Sequence, residues 1–253
     1  MTTNTTDIVH PYEEHPHLWN ATFAPPPLAD PEDPQRVVRT ALEKIELGKS
    51  SSSCKVSLVT RLHRTTALQE FWCASFEEAQ VYLNLAAHPD VVNFKEQLTR
   101  VDFIKEDGSP SYTLVDAHVL LKDGTEPLVS VKYHEKANRR SYLDEIADIA
   151  SQCPRELADR FVVASRFSFH PVYRSCAKAI HEARRGWDPK ADQIVLEAAN
   201  DLGGSFSFKD LVDHSELKGR GHRAAVRLIG DSDIGKDLLD PIADDTALWR
   251  AAA

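Results

Sequence analysis

No run of roughly 18 or more apolar residues occurs in this sequence, which argues against a membrane-spanning helix. The opening stretch, MTTNTTDIVHPYEEHPHLWN, has neither a charged start nor an apolar segment, so it does not read as a secretory signal. Cysteine is scarce. Cys54, Cys73, Cys153 and Cys176 stand far apart with no CxxC pair. That spacing fits free thiols in a reducing cytoplasm better than disulfides or a thiolate zinc site. No internal repeat is found. Trp19, Trp72, Trp187 and Trp249 form no stacking series and read as packing residues.

What is present is ordinary for a folded chain: 253 residues, 42% hydrophobic and 27% charged. The length allows one large domain or two modest ones and a sizeable core. The net charge of -9 speaks against tight DNA binding by bulk electrostatics. Its distribution is uneven. Residues 1–54 hold 4 basic and 8 acidic side chains, residues 55–140 hold 11 and 12, residues 166–230 hold 11 and 8, and the last 23 hold 2 and 6. A near-neutral centre between acidic ends leaves room for a basic face, so a DNA partner is allowed, with help from a metal or a protein.

Three regions are expected. Residues 1–54 hold seven of the 14 prolines and read as an extended arm with one helix over 35–47, where Val37, Val38, Ala41, Leu42 and Ile45 recur at helical spacing. His10, His15 and His17 in that arm read as polar residues of an extended segment rather than a metal set. Residues 55–169 alternate strands and helices. KVSLVTRL reads as a strand and SFEEAQVYLNLAAH as a helix, with Ser75 as N-cap and Glu78 three residues on. VVNFKEQ leading into RVDFI, then YTLVDAHVLL and PLVSVKY, read as three strand runs separated by the turn signals EDGS and KDGT. A helix over 138–150 and a short strand FVVAS follow. Residues 170–253 read as all-helical, with four candidate helices punctuated by glycines and an acidic tail; the last three resemble a helix-turn-helix trio.

Asp116 interrupts the apolar run LVDAHVLL, and Lys132 interrupts PLVSVKY. A charge in a strand core is costly unless it is paired or metal-bound. The KDGT turn brings the two runs side by side as a hairpin. Strand alternation puts Ser130 and Lys132 on one face. Glu78, on the preceding helix, can point to the same place, with Glu77 as the alternative one residue away. Two carboxylates and a lysine suit a divalent cation, Mg²⁺ or Mn²⁺. Such a cation polarises a phosphodiester, and the lysine orients water or neutralises developing charge. Glu126 and Glu135 are further candidate ligands, the first far along the strand and the second past its end. His118, by alternation on the face of Asp116, reads as a satisfied half-buried histidine.

The element order helix, three strands, helix, strand resembles the restriction-endonuclease-like core. Within it, Ser75-Phe76-Glu77-Glu78, His88-Pro89-Asp90-Val91-Val92, Phe94 to Gln97, Tyr112-Thr113 before Asp116, Asp123-Gly124 and Val129-Ser130-Val131-Lys132 resemble the catalytic domain of the TnsA family of transposon end-cleaving endonucleases. Residues 170–240 resemble its winged-helix-like C-terminal domain more loosely. The resemblance implies Glu78 and Asp116 as metal ligands, the Val131 carbonyl as a further ligand and Lys132 as the catalytic lysine. It departs at Ser130, where an acid is expected, and before Asp116, where Tyr-Thr-Leu-Val has no proline and one residue more.

The implied function is a metal-dependent endonuclease that cuts the 5′ ends of an element, with a transposase subunit and a transposition-regulating ATPase as partners. The alternatives are an assembly factor with a weakened site, favoured by Ser130, and a stand-alone nuclease for defence or phage DNA processing. Gln97, His134, Lys136, Arg139 and Arg140 are the expected DNA contacts. Arg220, Arg223 and Arg227, at spacings of three and four, are expected to share one helix face, as a DNA stripe or a docking surface.

Overall fold

The computed structural model describes residues 26–40, 55–97 and 99–251. The histidine cluster, Cys54 and the 41–47 part of the expected first helix lie outside these. The described start of that helix is instead a strand, β1 (Val37–Arg39). It pairs in parallel with β3 (Leu68–Cys73), which pairs antiparallel with β2 (Val56–Thr60). Helical spacing over 37–39 loses here to the ladder that β3 offers; tertiary pairing overrides local pattern.

Helix α1 (Phe76–Ala86) begins where expected. The Ser75 hydroxyl accepts the Glu78 N–H at 3.2 Å and donates to Glu78 Oε1 at 2.9 Å, while the Ala74 N–H donates to Glu78 Oε2 at 2.8 Å. This reciprocal cap fixes the helix start and holds the Glu78 side chain over it.

Five strands follow rather than three runs. They are β4 (Val91–Glu96), β5 (Arg100–Ile104), β6 (Pro110–Leu114), β7 (Ala117–Leu121) and β8 (Pro127–Val131). The run YTLVDAHVLL is broken at Val115 and Asp116, because the ladder bends there. Glu96 pairs with Ala117 on one side of the bend and Arg100 with Leu114 on the other, so the β4–β5 strand carries one extra residue. Gln97 takes up that residue with φ of 47°, in the left-handed region. This is a β-bulge, which bends a ladder and re-aims its side chains. Both turn signals close hairpins, EDGS between β5 and β6 and KDGT between β7 and β8. Gly108 and Gly124 supply their positive φ values of 80° and 83°.

Short helix α2 (His134–Ala137) and helix α3 (Arg140–Gln152) lead to β9 (Arg160–Ala164). The resulting sheet has the order β4-β7-β8-β9, antiparallel except for the parallel β8–β9 pair. A parallel pair needs a crossover, and α2 and α3 provide it. Period-two alternation separates the two faces of β8. Val129 and Val131 pack with Ala79, Tyr82, Phe94 and Ala164 on the α1 side. Leu128 packs with Val101, Val115 and Ile149 on the α3 side.

A 3₁₀ turn (Arg166–Ser168) precedes the C-terminal helices α4 (Pro171–Arg185), α5 (Pro189–Leu202), α6 (Phe208–His214) and α7 (Gly219–Gly230). The region is not all-helical. Strands β10 (Ser205–Ser207), β11 (Ile234–Lys236) and β12 (Ala247–Arg250) form an antiparallel sheet in the order β10-β12-β11. These strands are three or four residues long, too short for alternation to show in sequence. Their core contains Ala177, Val195, Phe208, Leu211, Leu228 and Leu248. The two halves are joined by buried arginines. Arg61 Nε donates to the Arg184 carbonyl at 3.1 Å, and Arg184 Nη1 donates to the carbonyls of Ala86 at 2.6 Å and Arg61 at 3.3 Å. Among the described residues no helix is long and apolar enough to cross a membrane. Cys73, Cys153 and Cys176 are free thiols.

Candidate active site

The bulge sets Asp116 at the mouth of the β7–β8 hairpin. Its carbonyl accepts the Gln97 N–H at 3.2 Å and the buried Tyr82 hydroxyl. Tyr82 lies four residues after Glu78, so the same helix face presents both groups to the bend. With the backbone pinned, the Asp116 carboxylate turns to β8. Its Oδ2 accepts the Val131 N–H at 2.7 Å, the Ser130 hydroxyl at 3.2 Å and the Lys132 ammonium at 3.3 Å. Lys132 Nζ also donates to the Val131 carbonyl at 3.0 Å. Ser130 Oγ is 2.7 Å from the Tyr142 hydroxyl of α3, and the Lys132 ammonium lies 5.9 Å from the centre of the Tyr142 ring.

Glu78 completes the group from the α1 side. Gln97 Nε2 donates to its Oε2 at 3.2 Å. Burial raises the pKa of Glu78, the charge of Asp116 raises it further, and the Ala74 N–H, Ser75 and Lys132 oppose the rise. Burial works against the charge on Lys132, but Asp116, Tyr142 and Glu78 outweigh it and hold the ammonium above its ordinary pKa. The groups therefore sense one another across the site: two carboxylates repel, and the lysine attracts both. Glu77 points elsewhere. It accepts the Arg166 N–H at 2.7 Å, which separates it from Asp116 and leaves Glu78 as the α1 carboxylate of the site.

The donor set fits a hard divalent cation. Two carboxylates and the Val131 carbonyl are oxygen ligands of the kind Mg²⁺ and Mn²⁺ take. A positive group already bridges two of them, the Lys132 ammonium between Asp116 Oδ2 and the Val131 carbonyl. Among the described residues no group of three His, Cys, Asp or Glu could hold a metal, so carbonyl or water oxygens would have to complete the shell. Ser130 is committed to Asp116 and Tyr142. Glu126 faces His118 at 3.0 Å, and Glu135 is exposed on α2, so neither joins the site.

No family model matches this chain, and no curated protein matches it.

The remaining expected positions divide. His134, Lys136, Arg139 and Arg140 are exposed just beyond Lys132, and Arg140 is spanned by Asp144 one turn on at 2.9 Å. His118 is buried. Its Nδ1 is 2.9 Å from the Thr99 hydroxyl, and burial, then Lys95, lower its pKa to about 4. It is a neutral structural histidine on the far side of the bulge. The arginine stripe on α7 is corrected. Arg220 and Arg227 do share a face, as their spacing of seven implies, but both are ion-paired to aspartates, with Arg227 buried and Arg220 exposed. Arg220 Nε pairs with Asp188 at 2.9 Å, and buried Arg227 pairs with Asp192 at 2.7 Å. The N-cap Asp188 and Asp192 in the first turn of α5 thus receive two arginines seven apart on α7. Among the described residues Arg223 is the member of the trio that is exposed and has no carboxylate partner.

Sequence reasoning missed Tyr142 and Glu96. A tyrosine in an apolar helical stripe carries no sign of where its hydroxyl goes. Glu96 is fully buried. Its Oε1 accepts from the Thr40 hydroxyl and from the Trp72 N–H at 3.3 Å, and its Oε2 is buried without a hydrogen-bond partner among the described residues. Burial raises its pKa to about 7. Because the folded value lies above the ordinary 4.5, Glu96 stabilises the fold below about pH 4.5, and that contribution is lost as pH rises to about 7. Glu96→Gln cannot ionise. Relative to wild type it is expected to gain on the order of 3 kcal/mol between those limits. Urea unfolding at about pH 5 and about pH 8 measures the gap; a pH-independent gap would refute a protonated Glu96.

Proposed function

We propose that this chain is a divalent-metal-dependent DNA endonuclease of cut-and-paste transposition, with a restriction-endonuclease-like core and a winged-helix-like C-terminal part. It hydrolyses a phosphodiester at the 5′ ends of an element beside a partner transposase. The contacts that gather Asp116, the Val131 carbonyl and Lys132, with the Glu78 charge near enough to act on Asp116 and Lys132, are the observation that carries the reading. The resemblance to the TnsA family supplies the strand choice, the transposase and the regulating ATPase.

Glu78, Asp116 and the Val131 carbonyl would hold Mg²⁺ or Mn²⁺, which when bound supplies a Lewis acid for the phosphate and an acidified water. Lys132, released from Asp116, stands ready to neutralise charge on the phosphate or to orient water. Ser130 and Tyr142 hold the Asp116 carboxylate in register. Gln97 steadies Glu78, and His134, Lys136, Arg139 and Arg140 face the DNA backbone. Arg223 is the remaining cation of the α7 trio for DNA or a partner.

Purified protein with its partner transposase is expected to nick end-containing duplex only with Mg²⁺ or Mn²⁺, and Lys132→Ala is expected to lose that nicking. Cutting that survives both chelation and Lys132→Ala would overturn the assignment.

Ser130 supports a second reading, an assembly factor with a weakened site. A hydroxyl replaces a carboxylate, and it is already spent on Asp116 and Tyr142. Ser130→Glu discriminates the two. In the nuclease reading the added carboxylate raises divalent affinity about 10-fold or more by thermal shift, and nicking rises with it. If wild type and Ser130→Glu are equally silent, yet both promote cutting by the transposase, the assembly role is the correct one.

A further inference from the structure

Beyond Lys132 the surface carries exposed rings between cations. Phe167 is 50% exposed and Tyr133 is 54% exposed. The Arg166 and Arg174 guanidinium carbons lie 4.7 and 5.3 Å from the centre of the Phe167 ring, and the His134 ring meets its edge with centroids 5.5 Å apart. Lys136 and Arg139 are exposed on the same short stretch after Lys132. Arg174 has no carboxylate partner among the described residues.

The Phe167 turn is built firmly. The Ser165 hydroxyl accepts the Phe167 N–H at 3.2 Å, and the Ser168 hydroxyl accepts the Ser165 N–H at 3.0 Å. Glu77 accepts the Arg166 N–H at 2.7 Å, which ties the turn to the residue next to Glu78. Tyr133 and His134 directly follow Lys132. The cluster is therefore anchored from both sides of the candidate active site, and half of the Phe167 ring still faces solvent on a braced turn.

We infer that the cluster of Phe167, Arg166, Arg174 and His134, with exposed Tyr133 next to it along the chain, binds unpaired nucleotides of a single-stranded DNA segment beside the site. This rests on the nuclease reading. A duplex hides its base faces and asks a surface only for cations. Rings interleaved with guanidiniums suit unstacked bases, with phosphates held by the charges. A docking face for a folded protein would be a continuous apolar patch; here the Phe167 ring is flanked by two guanidiniums and an imidazole.

The test is fluorescence anisotropy of labelled oligothymidylate and of a duplex of equal length, in chelator so that nothing is cut. Phe167→Ala is expected to weaken oligothymidylate binding about 10-fold and duplex binding less than about 2-fold, while Phe167→Trp restores single-strand affinity. Arg174→Gln is expected to weaken the single strand and flatten its salt dependence by somewhat under one unit of slope. Unchanged single-strand binding in both Phe167→Ala and Arg174→Gln, or equal weakening of strand and duplex, would overturn the inference. Because binding is read without hydrolysis, it can fail while nicking stands, and nicking can fail while it stands.

Discussion

Asp116→Ala is expected to lower metal-dependent nicking by about 10³-fold or more while the chain still folds. Four interactions meet at this side chain: the Val131 N–H, the Ser130 hydroxyl, the Lys132 ammonium and the field that raises the pKa of Glu78. In the proposed nuclease, removing the carboxylate takes away a charged ligand, and it also takes away the counter-charge that holds Lys132 in place. Loss of a single preorganised group at such a site costs about 10² to 10³ in rate, and loss of a metal ligand adds to that. The backbone of Asp116 stays pinned by Tyr82 and Gln97, so the bend survives the change. Two measurements belong together. Nicking of end-containing duplex should vanish, and the thermal shift caused by Mn²⁺ should shrink. If nicking persists within about 10-fold of wild type, Asp116 is not a ligand. If nicking vanishes but the Mn²⁺ shift remains, the cation sits elsewhere.

Arg184→Leu should be the most destabilising single change among the residues described. Arg184 is 1% exposed. Its Nη2 donates to the Gly230 carbonyl and to Asp231 Oδ1, both at 2.7 Å, and its Nη1 donates to the Ala86 and Arg61 carbonyls. Burial lowers its pKa, and Asp231 opposes this. Leucine leaves a nearly buried carboxylate and three carbonyls short of a donor. Removing one partner of a buried pair costs about 3 to 5 kcal/mol. At roughly 2 to 4 °C per kcal/mol for a chain of this size, the melting temperature should fall by about 6 to 20 °C. Asp231 keeps the Arg64 N–H at 2.8 Å and the Arg64 guanidinium at 3.6 Å on its other oxygen, so the loss comes from the donors withdrawn from Oδ1 and the three carbonyls. A single-variant loss below about 1 kcal/mol in urea unfolding would show that the guanidinium is not buried as described.

Turn chemistry made the hairpins readable. EDGS and KDGT each place a glycine where positive φ is needed, and the residues around them pair as expected. The capping spacing from Ser75 to Glu78 located the start of α1 and singled out Glu78 over Glu77. Alternation on β8 put Ser130 and Lys132 together, and both lie near Tyr142. Strand β3 was not readable, since LQEFWC has no flanking glycine or proline and no strict alternation. The fate of Arg220 and Arg227 was half readable: their spacing showed a common face, but only the fold reveals that Asp188 and Asp192 wait opposite it. Tyr142 and Glu96 escaped for the same reason. Their roles depend on partners from distant segments, which no local pattern encodes.

The extra residue at Gln97 also sets where this chain tolerates changes in length. The β5–β6 ribbon ends in a solvent-facing tip at Asp107 and Gly108. Lengthening or trimming both arms there by equal amounts leaves every pairing below it intact. One residue removed at the elbow, between Glu96 and Arg100, would instead leave two residues facing two and straighten the bend that aims Asp116 at β8. Related chains should therefore vary in the reach of this ribbon while keeping the count at its elbow.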